Sequence, residues 1–568
     1  MLTPDVSVET TTGAAVLARV GFLAHASPET LAELAARVRR VTVHAGDWLF
    51  RAGEEAEALY VVGTGRLRVV AEDGGAGRVL QEVGPGGVLG ELALLTGSAR
   101  SASVQAVRDS ELYELAADAF AGVLRADPEL GLSVARELAR QLQAVAGREA
   151  PPVRPAVIAV RAVTAGGDVD GVARLVAAAL ERFGPVALLD GSEGDRADRA
   201  AMVDRAEREH AHLVLADRGD DGGWSAFTLR QADRALLVAR AGAALAQAPP
   251  AGLDLVVVGD FPTASLERLL DDVRPRAHHL VGEGDAVAVA RLARRIVGRS
   301  LGVVCSGGGA RGLAHIGVLD VLEEEGFDVD RLGGCSMGAL IAGMAASGWS
   351  AGDIHDRCHE ELVRRSPFND YTIPRVALIR SRKAGRMLER LFGDGRVEEL
   401  PLPLFTVSAD LLSSRQVVFR RGPLADAVGT SMCIPGIAPP VPMLGALLVD
   451  GGVLNNLPVD EMAAAGEGPI VAVDVIRRMQ VGEDEEEPRL PSIVETLARA
   501  TVLASVERAE RNRGLADLVV TPEVQHVPLR SFGQLDEAVA AGREAARAAL
   551  EDGGREALVA ALESPAAA

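Results

Sequence analysis

Twice in quick succession the chain runs an apolar stretch into a glycine turn and leaves it as a helical pattern. The first instance is Val303-Val304-Cys305-Ser306-Gly307-Gly308-Gly309-Ala310-Arg311-Gly312, followed by a helical pattern from Leu313 to Glu325. The second leads from an apolar segment at Leu332 into Gly334-Cys335-Ser336-Met337-Gly338, with Ala339–Ala346 helical behind it. Apolar strands that alternate with helices in this way read as α/β over residues 301–475.

The two turns also carry chemistry. Consecutive glycines at a helix start let backbone amides face inward, a nest that stabilises an oxyanion or a phosphate. Alone, the string is weak, because dinucleotide folds use a similar one; here no strand-end Asp or Glu follows at the place such a fold requires. The second turn is a G-x-S-x-G elbow, in which Gly334 and Gly338 flank a strained serine whose hydroxyl projects above the sheet. A third element, Val449-Asp450-Gly451-Gly452, delivers an acid to a glycine turn after the apolar run Leu444–Val449. Serine attack needs a base within hydrogen-bond reach. After Asp450 the only histidine is His526, far along the tail. A direct Ser336–Asp450 dyad is therefore simpler than a Ser-Asp-His triad.

Elsewhere the chain reads as further domains, as 568 residues allow. Residues 14–40 read as helix, with Ser27 as N-cap and Pro28 in the first turn. Short β-like runs follow, Val41–Val43, Trp48–Phe50, Leu59–Val62, Leu67–Val70 and Val79–Val83, with turn residues such as Gly63 and Gly65 between them. This is the pattern of a small barrel or jelly roll. Helical periodicity returns at 117–146, and a proline-rich joint spans 147–155. Residues 156–298 alternate strand and helix, with strands expected at Val157–Val160, Val186–Leu189, Leu213–Leu215, Ala235–Val238 and Leu253–Val258. That reads as a doubly wound sheet, and Thr164-Ala165-Gly166-Gly167 is too thin to be a phosphate loop. The tail holds an acidic loop, Glu483–Glu487, and helices near 490–513 and 535–563.

Charge and composition narrow the function further. The chain has 59 Lys+Arg against 80 Asp+Glu, a net charge of -21, which disfavours nucleic acid as a partner. Its only lysine is Lys383 in Arg382-Lys383, which suits neither a Walker A loop nor a Ser-x-x-Lys hydrolase. Cys305, Cys335, Cys358 and Cys433 form no C-x-x-C pair, and free thiols suit a reducing cytoplasm. Asp5 and Glu9 precede the first arginine, so the N-terminus does not read as a signal peptide. The uncharged runs 333–352 and 427–449 are broken by glycine, serine and proline, so a soluble protein is expected.

The stretch from Gly90 to Ala102 (GELALLTGSARSA) has the chemistry of a cyclic phosphodiester pocket. Glu91 opens a short helical segment, and Arg100 can offer paired donors of permanent charge. The stretch resembles the phosphate-binding cassette of cyclic nucleotide-binding domains, and Ala45–Gly53 and Leu59–Gly65 resemble the β-roll of that family. The resemblance covers residues 14–145. It implies that Glu91 binds the ribose 2′-hydroxyl and Arg100 the phosphate of cAMP or cGMP. Gly90, the Leu92 and Ala93 amides and Ser101 would assist.

The glycine loop, the elbow and Asp-Gly-Gly, in that order and spacing, resemble the patatin-like phospholipase family over residues 301–465. The resemblance implies Ser336 as nucleophile and Asp450 as base. The oxyanion hole would lie in the Gly307–Ala310 loop, formed by the amides of Gly308, Gly309 and Ala310. Arg311, Gly312, Gly334, Gly338, Gly451 and Gly452 would support it, with Arg311 fixing the loop or a nearby carboxylate. Cys335 stands where threonine is commoner, a small departure expected to leave the chemistry unaffected, and Ser431–Gly436 resembles the family's supporting loop. A cyclic nucleotide module ahead of a patatin domain resembles the neuropathy target esterase branch, whose members act on phospholipids and lysophospholipids. The segments 224–238 and 516–550 resemble it too.

The expected architecture is thus a cyclic nucleotide-binding β-roll (14–145), a doubly wound α/β middle domain of unknown role (156–298), an α/β patatin-like hydrolase domain (301–465) and a C-terminal extension packing on it (466–568). The expected function is a serine lipid acyl hydrolase needing no cofactor or metal, regulated by cyclic nucleotide. It would act in the cytoplasm and associate peripherally with the inner face of the cell membrane. The alternative class is a non-enzymatic nucleotide sensor using the patatin domain as a scaffold. His355, Cys358 and His359 at helical spacing read as ordinary helix residues rather than metal ligands, and His315 reads as packing. The basic run Arg375, Arg380, Arg382, Lys383, Arg386 and Arg390 reads either as a solvated amphipathic helix or as a surface for anionic headgroups.

Overall fold

The computed structural model describes residues 34–71, 78–126, 157–164, 167–192, 199–240, 243, 245, 253–259, 261–476 and 493–563. The expected helix start at Ser27, the helical stretch after residue 126, the joint at 147–155 and the acidic loop 483–487 lie outside them. Two compact units divide the chain, Met1–Glu283 and Gly284–Ala568.

The first unit opens with an antiparallel roll. Its strands are β1 (Arg39–Val43), β2 (Trp48–Phe50), β3 (Ala58–Ala71), β4 (Arg78–Val83), β5 (Val88–Leu89) and β6 (Ser103–Ala116), with the short helix α1 (Glu91–Thr96) between β5 and β6. The sheet runs β1-β6-β3-β4, with β2 on β6 and β5 on β3. The sequence pattern places breaks at Gly63 and Gly65. The chain instead runs through them as one 14-residue strand whose register against β6 shifts between Val62 and Leu67. These irregularities bend a long strand enough to close the roll over Val62, Leu67, Leu89 and Leu112. Likewise strand β1 begins at Arg39, inside the stretch expected to be helical.

The second part of this unit is an all-parallel sheet of β7 (Val157–Ala162), β8 (Val186–Leu189), β9 (His212–Asp217), β10 (Arg234–Arg240), β11 (Asp254–Val258) and β12 (Ala277–Val281). Its order is β12-β11-β10-β7-β9-β8. The doubly wound expectation matches, and β12 (AHHLV) was not foreseen because two histidines interrupt its apolar run. Helix α2 (Val169–Leu180) follows β7, and the Asp168 carboxylate accepts from the Gly171 N–H at its start. The helix start is closed by its own side chain.

In the second unit, helix α3 (Ala286–Ile296) is held by buried ion pairs, Arg294 with Asp330 and Arg295 with Glu467. The end of the segment expected as middle domain thus belongs to the second compact unit. Its 8-stranded sheet has the order β17-β18-β15-β14-β13-β19-β20, with β16 on β15. The strands are β13 (Leu301–Cys305), β14 (Val329–Cys335), β15 (Leu404–Asp410), β16 (Arg415–Phe419), β17 (Val441–Met443), β18 (Ala446–Asp450), β19 (Ile470–Val473) and β20 (Leu518–Val520). The run β15-β14-β13-β19-β20 is parallel, and β16, β17 and β18 are antiparallel additions. Residues 466–568 do more than pack on this domain, because β19 and β20 are strands of its sheet. Helices α4 (Ala314–Glu324) and α5 (Met337–Ala346) leave β13 and β14 through the two glycine turns, and almost every residue of α5 is buried.

Candidate active site

Ser336 sits where β14 turns into α5, with φ 54 and ψ −122, a strained conformation for a residue with a side chain. Its flanking glycines are there because nothing larger fits. A Cβ on Gly334 would lie 2.6 Å from the Gly338 backbone, and one on Gly338 would lie 2.2 Å from the Cys305 carbonyl. The elbow is pinned from a third side: the Ser336 N–H donates to Ser431 Oγ at 2.9 Å, and that hydroxyl donates to the Val407 carbonyl at 2.5 Å. Ser431 ends helix α6 (Leu424–Ser431), so the supporting loop expected at 431–436 does lie beside the serine.

Asp450 ends β18, directly opposite Ser408 of β15. It is buried, and the nearby Ser336 side chain favours its charged form. Its Oδ1 accepts from the Gly452 N–H at 2.8 Å and faces the Cys335 thiol at 3.6 Å. Its own N–H donates to the Cys433 carbonyl. Burial pushes the carboxyl up to about 6, against the opposing pull of the Ser336, Gly452 and Cys335 hydrogen bonds. A carboxylate so placed is a base near neutral pH.

The glycine loop meets this pair. The Gly307 N–H donates to the Asn456 carbonyl at 3.1 Å, and the Asn456 amide returns a bond to the Gly307 carbonyl. The Ala310 N–H donates to the Leu529 carbonyl at 2.8 Å. The amides of Gly308 and Gly309 have no partner among the described residues. This corrects the expected oxyanion set: Gly307 and Ala310 spend their amides on other parts of the chain, and only the Gly308 and Gly309 amides of that set are without a partner among the described residues. Arg311 ties the loop to a distant segment, since its guanidinium donates to the Val527 and Gln525 carbonyls at 2.8 Å each. Segment 525–529 is thereby strapped across the loop. On Gly309, with φ 54, a Cβ would lie 2.4 Å from the Leu529 carbonyl.

Two participants escaped the sequence reading. Asn456 was signalled by its place in Leu454-Asn455-Asn456-Leu457-Pro458, just after Asp-Gly-Gly. Leu529 lies far along the chain and its backbone carries no residue signature. The other tempting groups are occupied elsewhere. His526 bonds Glu537, His355 bonds Asp536, and His315 bonds the Ser306 carbonyl, its pKa lowered to about 4 by burial. Among the described residues no group of three His, Cys, Asp or Glu side chains could hold a metal ion.

In the first unit, the Gly90–Ser101 stretch folds as expected, with Glu91 at the start of α1 and Arg100 folded back. The Arg100 guanidinium donates to the carbonyls of Gly90 at 3.0 Å and Ala58 at 2.7 Å, and stacks 4.1 Å over the Phe50 ring. Its Nε–H is buried without an acceptor among the described residues. Burial raises the Glu91 carboxyl and lowers the Arg100 guanidinium, each opposed by the charge of the other.

A strained serine on an acid, beneath bare glycine amides, with a β-roll cassette ahead of it, defines a patatin-like phospholipase carrying a cyclic nucleotide-binding domain. Two family models match accordingly: patatin-like phospholipase over residues 303–463 and cyclic nucleotide-binding domain over residues 40–127. A protein of Mycobacterium tuberculosis (strain CDC 1551 / Oshkosh), named as an uncharacterized NTE family protein, is 36% identical over 94% of this chain and 96% of its own length. The chain therefore belongs to the NTE family. Human patatin-like phospholipase domain-containing protein 6 is 31% identical over 76% of this chain and 37% of that protein. Lysophospholipase nte1 of Aspergillus fumigatus (strain Af293) is 26% identical over 91% of this chain and 44% of that protein. Among solved structures, the N-terminal domain of a Streptomyces coelicolor transcriptional regulator overlaps 22% of this chain and 92% of that one, at 32% identity and TM-score 0.21. Among the described residues no helix is long and apolar enough to cross a membrane.

Proposed function

We propose that the protein hydrolyses fatty acyl esters of phospholipids or lysophospholipids through a Ser336–Asp450 dyad. The observation that carries this reading is that the elbow Ser336 lies close enough to the buried Asp450 to favour its charged form, beside a loop whose Gly308 and Gly309 amides have no partner among the described residues. Ser336 Oγ attacks the acyl carbonyl while Asp450 takes its proton. The Gly308 and Gly309 N–H groups, with the positive end of α5, stabilise the oxyanion. Collapse expels the alcohol, which takes the proton back from Asp450, and leaves an acyl ester on Ser336. Water then attacks the acyl carbon, giving its proton to Asp450; the bond to Ser336 Oγ breaks, Oγ takes that proton back, and the fatty acid leaves. Each part of this cycle uses residues of this chain alone.

The test combines labelling with product analysis. A fluorophosphonate probe should modify Ser336, and a phospholipid and lysophospholipid panel should release fatty acid. Ser336→Ala should abolish both, and release persisting in that variant would remove Ser336 from the chemistry.

For the first unit we propose a cyclic nucleotide ligand, with Arg100 on the phosphate and Glu91 on the ribose hydroxyl, acting on hydrolysis from the inner face of the cell membrane. The buried, unpartnered Arg100 Nε–H supports the fit, because a phosphate oxygen supplies the missing acceptor. Calorimetric titration with cAMP and cGMP, alongside hydrolysis rates, tests binding and regulation separately.

A further inference from the structure

We infer that the loop at 367–381 and the start of the following helix form the surface by which the second unit docks on an anionic phospholipid bilayer. The inference rests on the lipid-hydrolase reading above and names the face that meets the substrate phase.

The loop is a short hairpin closed by the Tyr371–Ile379 bridge and by bonds from Thr372 to Leu378 and from Arg380 to Asp370. Its base is anchored, since Ile379 packs with Cys433 and Ala438. Its tip is exposed: Tyr371 is 58% exposed, Ile373 81% and Val376 72%. Three large apolar side chains held in water by an ordered loop are an unfavourable surface unless something covers them.

The charge around the tip says what covers it. Arg375, Arg380, Arg382, Lys383 and Arg386 are all exposed. None of them forms an ion pair among the described residues, whereas Arg390, farther along the helix Arg382–Phe392, pairs with Glu361. In a chain of net charge -21 this is a local excess of uncompensated cations. Apolar tips ringed by arginine match an acyl layer beneath anionic headgroups.

The patch also adjoins the site from two directions. Leu378 and Ile379 donate to the carbonyls of Gly436 and Ile437, in the loop that begins with Cys433, the acceptor for the Asp450 N–H. Tyr371 bonds Arg530, the residue after Leu529, which holds the Ala310 amide. A bilayer seated on the tip therefore lies next to both walls of the dyad.

The experiment is flotation of the full-length protein with phosphatidylcholine vesicles, with and without phosphatidylglycerol. Hydrolysis of vesicle lipid and of a soluble short-chain nitrophenyl ester is measured alongside. The wild type should bind the anionic vesicles and release from them at high salt. Combined Arg375→Ala, Arg380→Ala and Arg382→Ala should weaken this binding on the order of 100-fold. Combined Ile373→Ser and Val376→Ser should weaken it about tenfold or more. Both variants should hydrolyse the soluble ester at the wild-type rate and vesicle lipid more slowly. Equal binding to both vesicle types, no binding, or variants that bind as the wild type does would overturn the inference. So would a shift from dimer to monomer in the variants with vesicle binding unchanged, which would make a second copy the occupant. Failure of the hydrolase reading looks different: vesicle binding would remain while neither substrate is cleaved.

Discussion

Asp450 is asked to be both buried and charged, and the two demands conflict. Its carboxyl rises from 3.8 to about 6, so the folded protein holds this proton more tightly than the unfolded chain does. Between those values the native state binds more protons, and stability falls as pH rises through the window, by about 3 kcal/mol in all. Activity has the opposite sign, because only the carboxylate accepts the serine proton. We expect kcat/KM to rise with pH around a midpoint near 6 and level off above it. Asp450→Asn should lose about 10³-fold or more in rate yet gain about 1–3 kcal/mol of stability at pH 8, read by denaturant melts. Cys335 was expected to leave the chemistry unaffected, yet its thiol lies 3.6 Å from the carboxylate and opposes the rise of its pKa. A hydroxyl donates more strongly than a thiol. Cys335→Thr should therefore move the activity midpoint to lower pH and Cys335→Ala to higher pH. At this scale the sequence was highly legible, because strand-to-turn motifs place serine and acid by local stereochemistry. The oxyanion donors were not fully legible, since which amides stay free depends on partners elsewhere in the chain.

Among the elements, the C-terminal strap contributes most beyond the motifs. It gives a carbonyl to Ala310 and takes the Arg311 guanidinium, so the loop is held by a segment more than two hundred residues away in sequence. Arg311→Ala leaves the Val527 and Gln525 carbonyls without this donor, at a cost of about 1–3 kcal/mol. If the strap orders Gly308 and Gly309 for the transition state, kcat should fall about tenfold or more with KM little changed, and Arg311→Lys should restore part of it. The helix Leu535–Ala549 extends this attachment by lying against α4. A Cβ on Gly542 would come within 2.0 Å of the Ala314 carbonyl. Gly542→Val should cost about 1–3 kcal/mol by forcing the helices apart, measured as a lower thermal midpoint. Periodicity located the tail helices and five of the middle-domain strands. It missed β12, whose histidines break the pattern, and it divided β3 at glycines that bend a strand rather than end it.

For the whole molecule, the roll and the parallel sheet of the first unit are joined by charges. Arg108 of β6 is 1% exposed and donates to Glu207 at 2.8 Å, and Arg66 of β3 pairs with Asp233. Removing one partner strands a buried charge. Arg108→Met should therefore destabilise the first unit by about 3 kcal/mol, seen as an earlier unfolding transition. The same contact lies between the proposed nucleotide pocket and the parallel sheet, so the cAMP titration can be repeated on this variant. The composition foretold an acidic molecule of several domains, and the run from Arg375 to Arg390 allowed a cationic face; that it rings an exposed apolar tip was not legible.

The residues alone determined the two strand–turn–helix crossings, the places of Ser336 and Asp450 at the ends of their strands, and the cassette, because each is written in a few neighbouring positions whose φ, size and charge leave little choice. Tertiary structure alone decided that Gly307 and Ala310 give up their amides, that the tail supplies β19, β20 and the strap, and that an apolar arginine-ringed loop stands beside the dyad. Those outcomes depend on which distant backbone groups meet, and backbone carbonyls and amides are the same in every sequence.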